Sequence, residues 1–423
     1  MKKSIALILL TISTLIACKK SDNSKITPPP APVPAISSIS PTSGKYGTLV
    51  TITGTNFNAT PSNSTVNING KAAVVQTASA TSLTVIVPVS AGTGTVTVNT
   101  NGSNATGPVF TYNYIVFVAG NESNGSHNVA KYWENGVATS LSNGANHAYA
   151  NGIALDGSDV YVSGFESSGA GGVVAKYWKN GVATTLTDGT RIADASQIKI
   201  VDGNVYIVGY EANSSGNGIA KYWKNGVATA VTNGAQNATA FSMAISGSDV
   251  YVAGKEFNGI SNFVVKYWKN GVATSLTNGS KEADCSAVAV SGSDVYLAGY
   301  ESNGTHYVAK YWKNGVATAL SNGSNDAGAL SITLSGSNVY AGGYESNGSN
   351  NVAKYWKNGA ATILSDGTHD ASAGQIVVVG NDIYVAGYES NGTSYVARYW
   401  KNGTAINLSD GTHNAQASSI FLQ

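Results

Sequence analysis

Seven glutamates recur at even intervals between residues 122 and 389 of this 423-residue chain, and a basic residue follows each of them nine or ten positions later. The pairs are Glu122 and Lys131, Glu166 and Lys176, Glu211 and Lys221, Glu256 and Lys266, Glu301 and Lys310, Glu345 and Lys354, and Glu389 and Arg398. Two carboxylates flanking one bond could hydrolyse a glycoside by acid and base catalysis. Equivalent positions of a repeat point alike instead of converging, so we interpret the pairs as structural ion pairs and predict no enzyme activity.

All five histidines fall in two classes of loop at equivalent places in a repeat. His127 and His306 precede the third strand of a repeat, whereas His147, His369 and His413 precede the innermost strand. Three imidazoles from neighbouring repeats could ligate zinc, but each would have to lie within about 2.1 Å of one ion. Equivalent loops of neighbouring repeats lie much farther apart. We therefore expect solvated histidines, and neither a metal nor another cofactor.

The same two loop classes carry other differences between the copies. Besides the histidines, the residues that depart from their counterparts are Arg191, Lys255, Phe257, Lys281, Glu282, Asp326 and Asp370. Strand and hairpin positions are nearly invariant by comparison, so the variation is expected on one rim of the folded array. Binding residues are usually carried by loops on a rigid scaffold, and these twelve residues are therefore a candidate binding surface.

A regular repeat positions all of these residues. The motif Tyr-Trp-Lys-Asn-Gly-Val-Ala-Thr recurs with small variations around seven tryptophans, spaced by 45 or 44 residues: Trp133, Trp178, Trp223, Trp268, Trp312, Trp356 and Trp400. Each unit has four short apolar runs separated by turn residues, and Asn-Gly between such runs is the strongest short signal for a tight hairpin. The period and the hairpins together predict four-stranded antiparallel blades.

The phase of the array predicts a closed ring. The first copy begins at its second strand, with residues 116–120, and the chain ends within an innermost strand, at residues 420–423. An open solenoid would instead need polar caps at its ends. We therefore predict that the last strand completes the first blade, which gives a seven-bladed β-propeller over residues 114–423.

The Tyr-Trp pairs have two possible roles. Large aromatic side chains suit packing between neighbouring blades, because they dominate the burial of apolar surface. The alternative is a platform on which sugar rings stack. The Tyr-Trp-Lys-Asn-Gly repeats resemble those of bacterial surface lipoproteins, and this resemblance implies no particular activity.

Residues 34–113 are predicted to form a separate β domain. Short runs rich in valine, isoleucine and threonine lie between Gly and Asn clusters, as in β-sandwiches, at 49–54, 66–68, 83–87 and 95–98. The segment resembles the IPT/TIG domain, an immunoglobulin-like module, and the matching stretches are 34–44, 47–57 and 66–70. The resemblance implies a sandwich that serves as a spacer or interaction unit and carries no catalytic residue. The predicted fold is thus all-β throughout.

The N-terminus has the pattern of a secretion signal. Lys2 and Lys3 precede an apolar run, and Leu15-Ile16-Ala17-Cys18 resembles the lipobox of bacterial lipoproteins. The resemblance implies a signal at residues 1–18 and a lipid anchor on Cys18 that holds the chain in the cell envelope, at the outer membrane or cell surface. A plain secretory signal is the alternative. Residues 19–33, polar and then rich in proline, are expected to form a flexible stalk.

Composition narrows the function further. Charged residues make up 11% of the chain, and removal of Lys2 and Lys3 reduces the 24 basic residues to 22, against 23 acidic ones. Such a surface has no long-range field that attracts polyanions, so nucleic acid is not expected as a partner. We predict a monomeric, membrane-anchored binding protein whose rim loops recognise a glycan or another extracellular polymer. A protein–protein scaffold or adhesin is the alternative.

Overall fold

The computed structural model describes residues 32–169 and 171–423, which form two β domains. No α-helix occurs in these residues, so the predicted all-β class is confirmed. In the same ranges nothing helical has the length and apolar character needed to cross a membrane. The predicted signal, with Cys18, and the predicted stalk as far as residue 31 lie outside the described residues.

The first domain is an immunoglobulin-like sandwich around one apolar core. Its strands are β1 Ala35–Ser40, β2 Ser43–Gly44, β3 Leu49–Thr55, β4 Ser64–Ile68, β5 Lys71–Ala78, β6 Ser82–Ile86, β7 Gly94–Thr100 and β8 Ser103–Tyr112, with a 3₁₀ turn at Pro61–Asn63. They pair in the order β1-β3-β6-β5-β4-β7-β8-β2. The strands fold over a core that includes Val50, Ile52, Val66 and Phe110.

Four strands of the sandwich, β1, β2, β5 and β8, were not predicted from the sequence. The four predicted runs correspond to β3, β4, β6 and β7, whereas β5 and β8 lack a strand-like composition. β5 contains three alanines and is mostly exposed, and β8 contains Gly107 and Pro108, which weaken a strand. Both form because neighbouring strands offer complementary edges: β5 pairs with β4 and β6, and β8 pairs with β7.

The second domain is a ring of seven four-stranded antiparallel sheets, or blades. In chain order its strands are β9 Val116–Ser123, β10 Asn128–Glu134, β11 Val137–Ser140, β12 Ala148–Asp156, β13 Asp159–Ser167, β14 Val173–Lys179, β15 Val182–Thr185, β16 Ala193–Val201, β17 Asn204–Ala212, β18 Gly218–Lys224, β19 Val227–Ala230, β20 Ala238–Ser246, β21 Asp249–Phe257, β22 Phe263–Lys269, β23 Val272–Ser275, β24 Ala283–Ser291, β25 Asp294–Ser302, β26 Tyr307–Lys313, β27 Val316–Ala319, β28 Ala327–Ser335, β29 Asn338–Ser346, β30 Asn351–Lys357, β31 Ala360–Ile363, β32 Ala371–Val379, β33 Asp382–Ser390, β34 Tyr395–Lys401, β35 Thr404–Asn407 and β36 Ala415–Leu422.

Each blade is described below by strands A to D, counted from the ring axis outward. Blade one consists of β36, β9, β10 and β11, and blades two to seven follow in chain order from β12. The A strands of neighbouring blades contact one another around the axis, for example β12 with β16 and β32 with β36. The D strands are short and exposed, as expected for an outer edge.

Blade one confirms the predicted closure. Strand β36 pairs antiparallel with β9, from Ala415 opposite Glu122 to Leu422 opposite Val116. One further pair extends this ladder, because Gln423 and Ile115 exchange both backbone hydrogen bonds, at 2.9 and 3.0 Å. The last strand of the chain is thus the innermost strand of the first blade, and the ring has no open blade.

The repeated tryptophans lie between the blades. All seven are at most 2% exposed, and each packs against the preceding blade. Trp178 of blade two, for example, packs with Phe117 and Ala119 of blade one, and Tyr132 of blade one belongs to the same cluster. The packing role of the Tyr-Trp pairs is therefore confirmed. The seven tryptophans offer no exposed ring face on which a sugar could stack.

Asn-Gly has two different uses in the repeat. Between strands C and D, asparagines such as Asn314 have a φ near 50° and are followed by Gly315 at 86°, as a tight type I′ hairpin requires. Between strands B and C the expected tight hairpin is not formed. There the Oδ1 atom of Asn303 accepts the backbone N–H groups of Thr305 and His306, at 2.9 Å each, so the loop is wider and is held by a side chain.

Candidate functional site

The two variable loop classes meet at one face of the propeller, which we name the loop face. It consists of the B–C loops, at 124–127, 168–169 with 171–172, 213–217, 258–262, 303–306, 347–350 and 391–394, and of the D–A loops, at 141–147, 186–192, 231–237, 276–282, 320–326, 364–370 and 408–414. In blade one the Nδ2 group of Asn124 donates to the carbonyl of Gly144, 3.1 Å away, and the same contact recurs in five other blades. These bonds hold the two loop classes together as a firm surface.

Three of the predicted site residues also have a structural role at this face. His147, Asp326 and Asp370 immediately precede an A strand, and each accepts the first backbone N–H of the neighbouring C strand at 2.8–3.1 Å. Asn237 and Asn414 make the same bond in other blades, at 2.8 and 2.9 Å. The need to accept this backbone N–H group therefore explains in part why polar residues occur at these positions.

The histidines form two separate contacts and not one cluster. The rings of His127 and His147 lie 4.9 Å apart, edge to face. The Nδ1 atom of His306 lies 3.4 Å from Oδ1 of Asp326. The Nδ1 atoms of His369 and His413 each lie 3.1 Å from the hydroxyl of the preceding threonine. No group of three His, Cys, Asp or Glu in residues 32–169 and 171–423 could hold a metal ion.

Two of the predicted site residues, Lys255 and Phe257, belong to a charged and aromatic cluster at blade four. Lys255 Nζ lies 2.5 Å from Oδ2 of Asp284 and 4.8 Å from the ring centre of Phe263. Phe257 packs edge to face on Phe263, with ring centres 5.6 Å apart. The enclosed position of Asp284 raises the pKa of its carboxyl in spite of the lysine. This group combines one cation with apolar ring faces at the loop face.

The remaining predicted residues are spread around the ring. Lys281 donates to the carbonyl of Asn303 at 3.4 Å, and Glu282 accepts the hydroxyl of Tyr307 at 2.9 Å. Arg191 is exposed in the second D–A loop. The twelve predicted residues thus share the loop face but do not converge on one point.

Aromatic side chains at the end of strand B were missed in the sequence analysis. The residue before the glutamate that recurs in each blade is aromatic in five of the seven blades and half-buried in all five: Phe165, Tyr210, Tyr300, Tyr344 and Tyr388. Lys255 and Asn121 occupy the other two places. We name these seven residues the mouth ring. Several have an aromatic neighbour, such as Tyr149 stacked on Phe165 with ring centres 4.8 Å apart and Tyr307 at 4.6 Å from Tyr300.

Within the mouth ring the propeller has a central channel. Its volume is about 600 Å³, and it is lined by the A strands, with Tyr388 of the mouth ring among its lining residues. A register shift in each A strand leaves one residue out of the ladder, or two in blade seven, and all eight of these residues line the channel: Asn151, Ser196, Phe241, Ser286, Leu330, Gly374, Gln375 and Ser418. Bulges commonly re-aim a side chain in this way.

The expectation that strand positions hardly vary between copies is wrong for the A strands. The bulge position alone holds Asn, Ser, Phe, Leu or Gly in different blades. The next position makes bonds between blades: Gln197 accepts the N–H of Met243 at 2.7 Å, and Gln375 accepts that of Ile420 at 2.9 Å. Part of this variation is thus structural, but it also places a different set of groups on each side of the channel.

The seven Glu and Lys or Arg pairs are structural ion pairs, as predicted. Six Lys Nζ atoms lie 2.5–2.7 Å from Oε2 of their glutamate, and Arg398 contacts Glu389 in the same way. Each pair links strands B and C of one blade, as with Glu122 and Lys131. Each of these carboxylates thus faces a cation on the adjacent strand of its own blade.

Comparison with known proteins supports the fold. Residues 34–114 match the IPT/TIG domain family, so the first domain is an IPT/TIG domain and the predicted resemblance is confirmed for it. No curated protein matches the chain. A protein of unknown function from Bacteroides thetaiotaomicron VPI-5482 is similar in structure, with 13% identity, a TM-score of 0.50, and coverage of 93% of this chain and 99% of that one.

Two further structures have lower scores. An auxiliary nutrient binding protein from Bacteroides thetaiotaomicron VPI-5482 has 12% identity and a TM-score of 0.35, with coverage of 92% of this chain and 98% of that one. Another from Bacteroides ovatus ATCC 8483 has 14% identity and a TM-score of 0.35, with coverage of 93% and 98%. At such identities only the fold is compared. The chain is therefore an IPT/TIG domain followed by a seven-bladed β-propeller that shares its fold with a Bacteroides protein.

Proposed function

We propose that this chain is a non-enzymatic surface protein whose loop face binds a glycan or a comparable extracellular polymer. The observation that carries the proposal is the mouth ring, where aromatic side chains from five blades are half-exposed at equivalent positions. Flat apolar rings with polar groups around them are typical of ligand sites. The tyrosines Tyr300 and Tyr344 each offer a ring face and a hydroxyl, which suits the alternating apolar and polar surface of a sugar.

The chemistry around the ring favours a neutral, hydroxylated ligand. Asn, Ser, Thr and Gly dominate the B–C and D–A loops, whereas charged residues make up 11% of the whole chain. Amide and hydroxyl groups donate and accept hydrogen bonds without requiring a charge on the ligand. Because similar sites recur around one ring, a polymer could occupy several of them at once, and avidity would then exceed the affinity of any single site.

Loss of two mouth-ring tyrosines is expected to weaken polymer binding strongly. At about 1 kcal/mol for each stacked ring, the double variant Tyr300→Ala and Tyr344→Ala should bind roughly 30-fold more weakly. The measurement is binding of the full-length chain, in mild detergent, to a polysaccharide array. Tyr46→Ala is a matched control, because this tyrosine is 41% exposed in the sandwich domain, away from the loop face.

Two results would contradict the proposal. Equal binding of the double variant and the control variant would exclude the mouth ring as the binding surface. Silence across the whole array, together with capture of a single protein by the same chain, would instead support the alternative of a scaffold or adhesin. Turnover of a glycan that is lost on mutation of one loop-face residue would support an enzyme.

We further propose that Cys18 carries a lipid and that the propeller is thereby held at the cell envelope. The proposal rests on the lipobox pattern at residues 15–18 and on the polar, proline-rich stretch that follows. Cys18→Ser should abolish incorporation of radiolabelled palmitate and release the protein from the membrane fraction. Ala17→Gly is the control, since it keeps a small residue at the predicted cleavage site. If the serine variant stays in the membrane fraction with its label, the anchor is elsewhere.

A further inference from the structure

The central channel contains one charged side chain for which the fold provides no partner. This is Lys199 of blade three, and within residues 32–169 and 171–423 no other charged residue lines the channel. The lysine forms neither an ion pair nor a hydrogen bond with the described residues, and its enclosed position alone lowers the pKa of its amino group. The side chain is half-buried, so its ammonium group, which has no counter-charge within the described residues, is accessible to a ligand in the channel.

Small side chains border this lysine on one side of the channel. The equivalent positions of blades four and five hold Ala244 and Ala289, and both alanines line the channel together with Lys199. A ligand that approaches Lys199 is therefore not displaced by a bulky side chain at these two positions.

Two glutamines present free donors to the same channel. Gln197 and Gln375 accept the N–H groups of Met243 and Ile420 with Oε1, and this fixes which end of each amide carries the NH₂ group. The Nε2 group of neither glutamine donates to an acceptor in the described parts of the chain. Both glutamines are half-buried, and a ligand oxygen in the channel can accept a hydrogen bond from either Nε2 group.

We propose that the channel binds a small hydroxylated carboxylate with the size and chemistry of a hexuronic acid. The carboxylate pairs with Nζ of Lys199, and hydroxyl oxygens accept hydrogen bonds from Gln197 and Gln375. Phe241 and Tyr388, which also line the channel, offer apolar ring faces. The volume of about 600 Å³ lies within the roughly 300–1,000 Å³ of typical ligand sites.

This site adjoins the polymer-binding surface proposed above and shares Tyr388 of the mouth ring with it. It is lined by the A strands and holds one lysine, whereas the polymer-binding surface is built from loops that recur in every blade. Neither proposal depends on the other. The double variant Tyr300→Ala and Tyr344→Ala should bind a hexuronic acid as the unmodified chain does, so failure of one proposal can be told from failure of the other.

The test is isothermal titration calorimetry on the full-length chain with glucuronate, glucose, acetate and inorganic sulfate. We expect glucuronate to bind with a stoichiometry of one, and the other three to bind at least tenfold more weakly, because each lacks either the charge or the hydroxyls. Lys199→Met keeps the stem and removes the charge, and it should weaken glucuronate binding at least tenfold. Lys71→Met, in an exposed strand of the sandwich domain, is the control.

Three results would overturn the proposal. Glucuronate could fail to bind at millimolar concentration, sulfate could bind as tightly as glucuronate, or Lys199→Met could bind glucuronate as the unmodified chain does. Folding of the variant is checked by its melting temperature, which should not fall, because an uncompensated cation is removed. The comparison of the four ligands on the unmodified chain tests the proposal even if the variant does not fold.

Discussion

A chain that lacks residues 418–423 is expected to melt roughly 10–20 °C below the full-length protein. This deletion removes the larger part of β36, so Val116, Phe117 and Val118 of β9 lose their ladder partners. It also removes Ile420, which is 1% exposed, and each such apolar side chain contributes about 2–5 kcal/mol. A loss of about 5 kcal/mol lowers the melting temperature of a domain of this size by roughly 10–20 °C. Thermal unfolding followed by circular dichroism measures it.

Matched point variants show whether the effect comes from ring closure. Ile420→Ala should lower the melting temperature, because the side chain is buried between blades seven and one. Ile363→Ala should leave it nearly unchanged, since this isoleucine is 62% exposed on an outer strand of blade six. A truncated chain that melts at the temperature of the full-length protein would show that the ring does not need its last strand.

Closure of the propeller ring could be predicted because it depends only on the number of repeats and on the strand at which the array begins. The repeat spacing of 44 or 45 residues and the start of the array at its second strand leave one strand missing, and the C-terminus supplies it. The side-chain packing of the Tyr-Trp pairs was predictable for a related reason. A large aromatic residue present in every copy is explained by a contact that every copy makes, and Trp178 and Trp400 are both buried between blades.

The channel could not be predicted in the same way. Strand A alternates between buried and accessible positions, but the bulge shifts this alternation by one residue. Ser196 is therefore placed in the channel by a feature that the sequence does not mark. Gln197 and Lys199 are polar, and the sequence pattern around them does not distinguish residues that line a channel from residues at a solvent-exposed strand edge. Both residues differ from most of their counterparts in the other copies, and this difference is the sequence signal that marks them.

The mouth ring was missed for a different reason. Its residues lie beside conserved glutamates in a strand that otherwise hardly varies, and tyrosine in a strand is ordinarily taken as packing. Only the register of strands A and B shows that Tyr300 lies opposite Asp284 at the loop face. The loop residues were easier to identify, because His127 and His306 stand out in loops of Asn, Gly and Ser.

Asp194→Asn is expected to raise the free energy of unfolding at pH 7 by up to about 3 kcal/mol. Asp194 lies where strand A of blade three begins, and its enclosed position raises the pKa of its carboxyl to about 6, although Ser196, the N–H of Ala195 and Asn151 donate hydrogen bonds to it. An ionised carboxylate is therefore held in the folded protein at a cost. Asparagine has a similar shape and keeps an acceptor for Asn151 without the charge.

The direction in which stability changes with pH tests whether the raised pKa of Asp194 is the cause of this effect. The folded carboxyl has a pKa near 6 and the unfolded one a pKa near 3.8, so the folded state binds more protons between these values. The contribution of Asp194 to the free energy of unfolding therefore falls as pH rises from about 4 to about 6. Relative to the unmodified chain, Asp194→Asn should gain stability over this range, whereas Asp156→Asn, at an exposed turn of blade two, should not. Denaturant unfolding at pH 4, 5, 6 and 7 measures the difference, and parallel curves for Asp194→Asn and the unmodified chain would show that Asp194 is not the group that titrates.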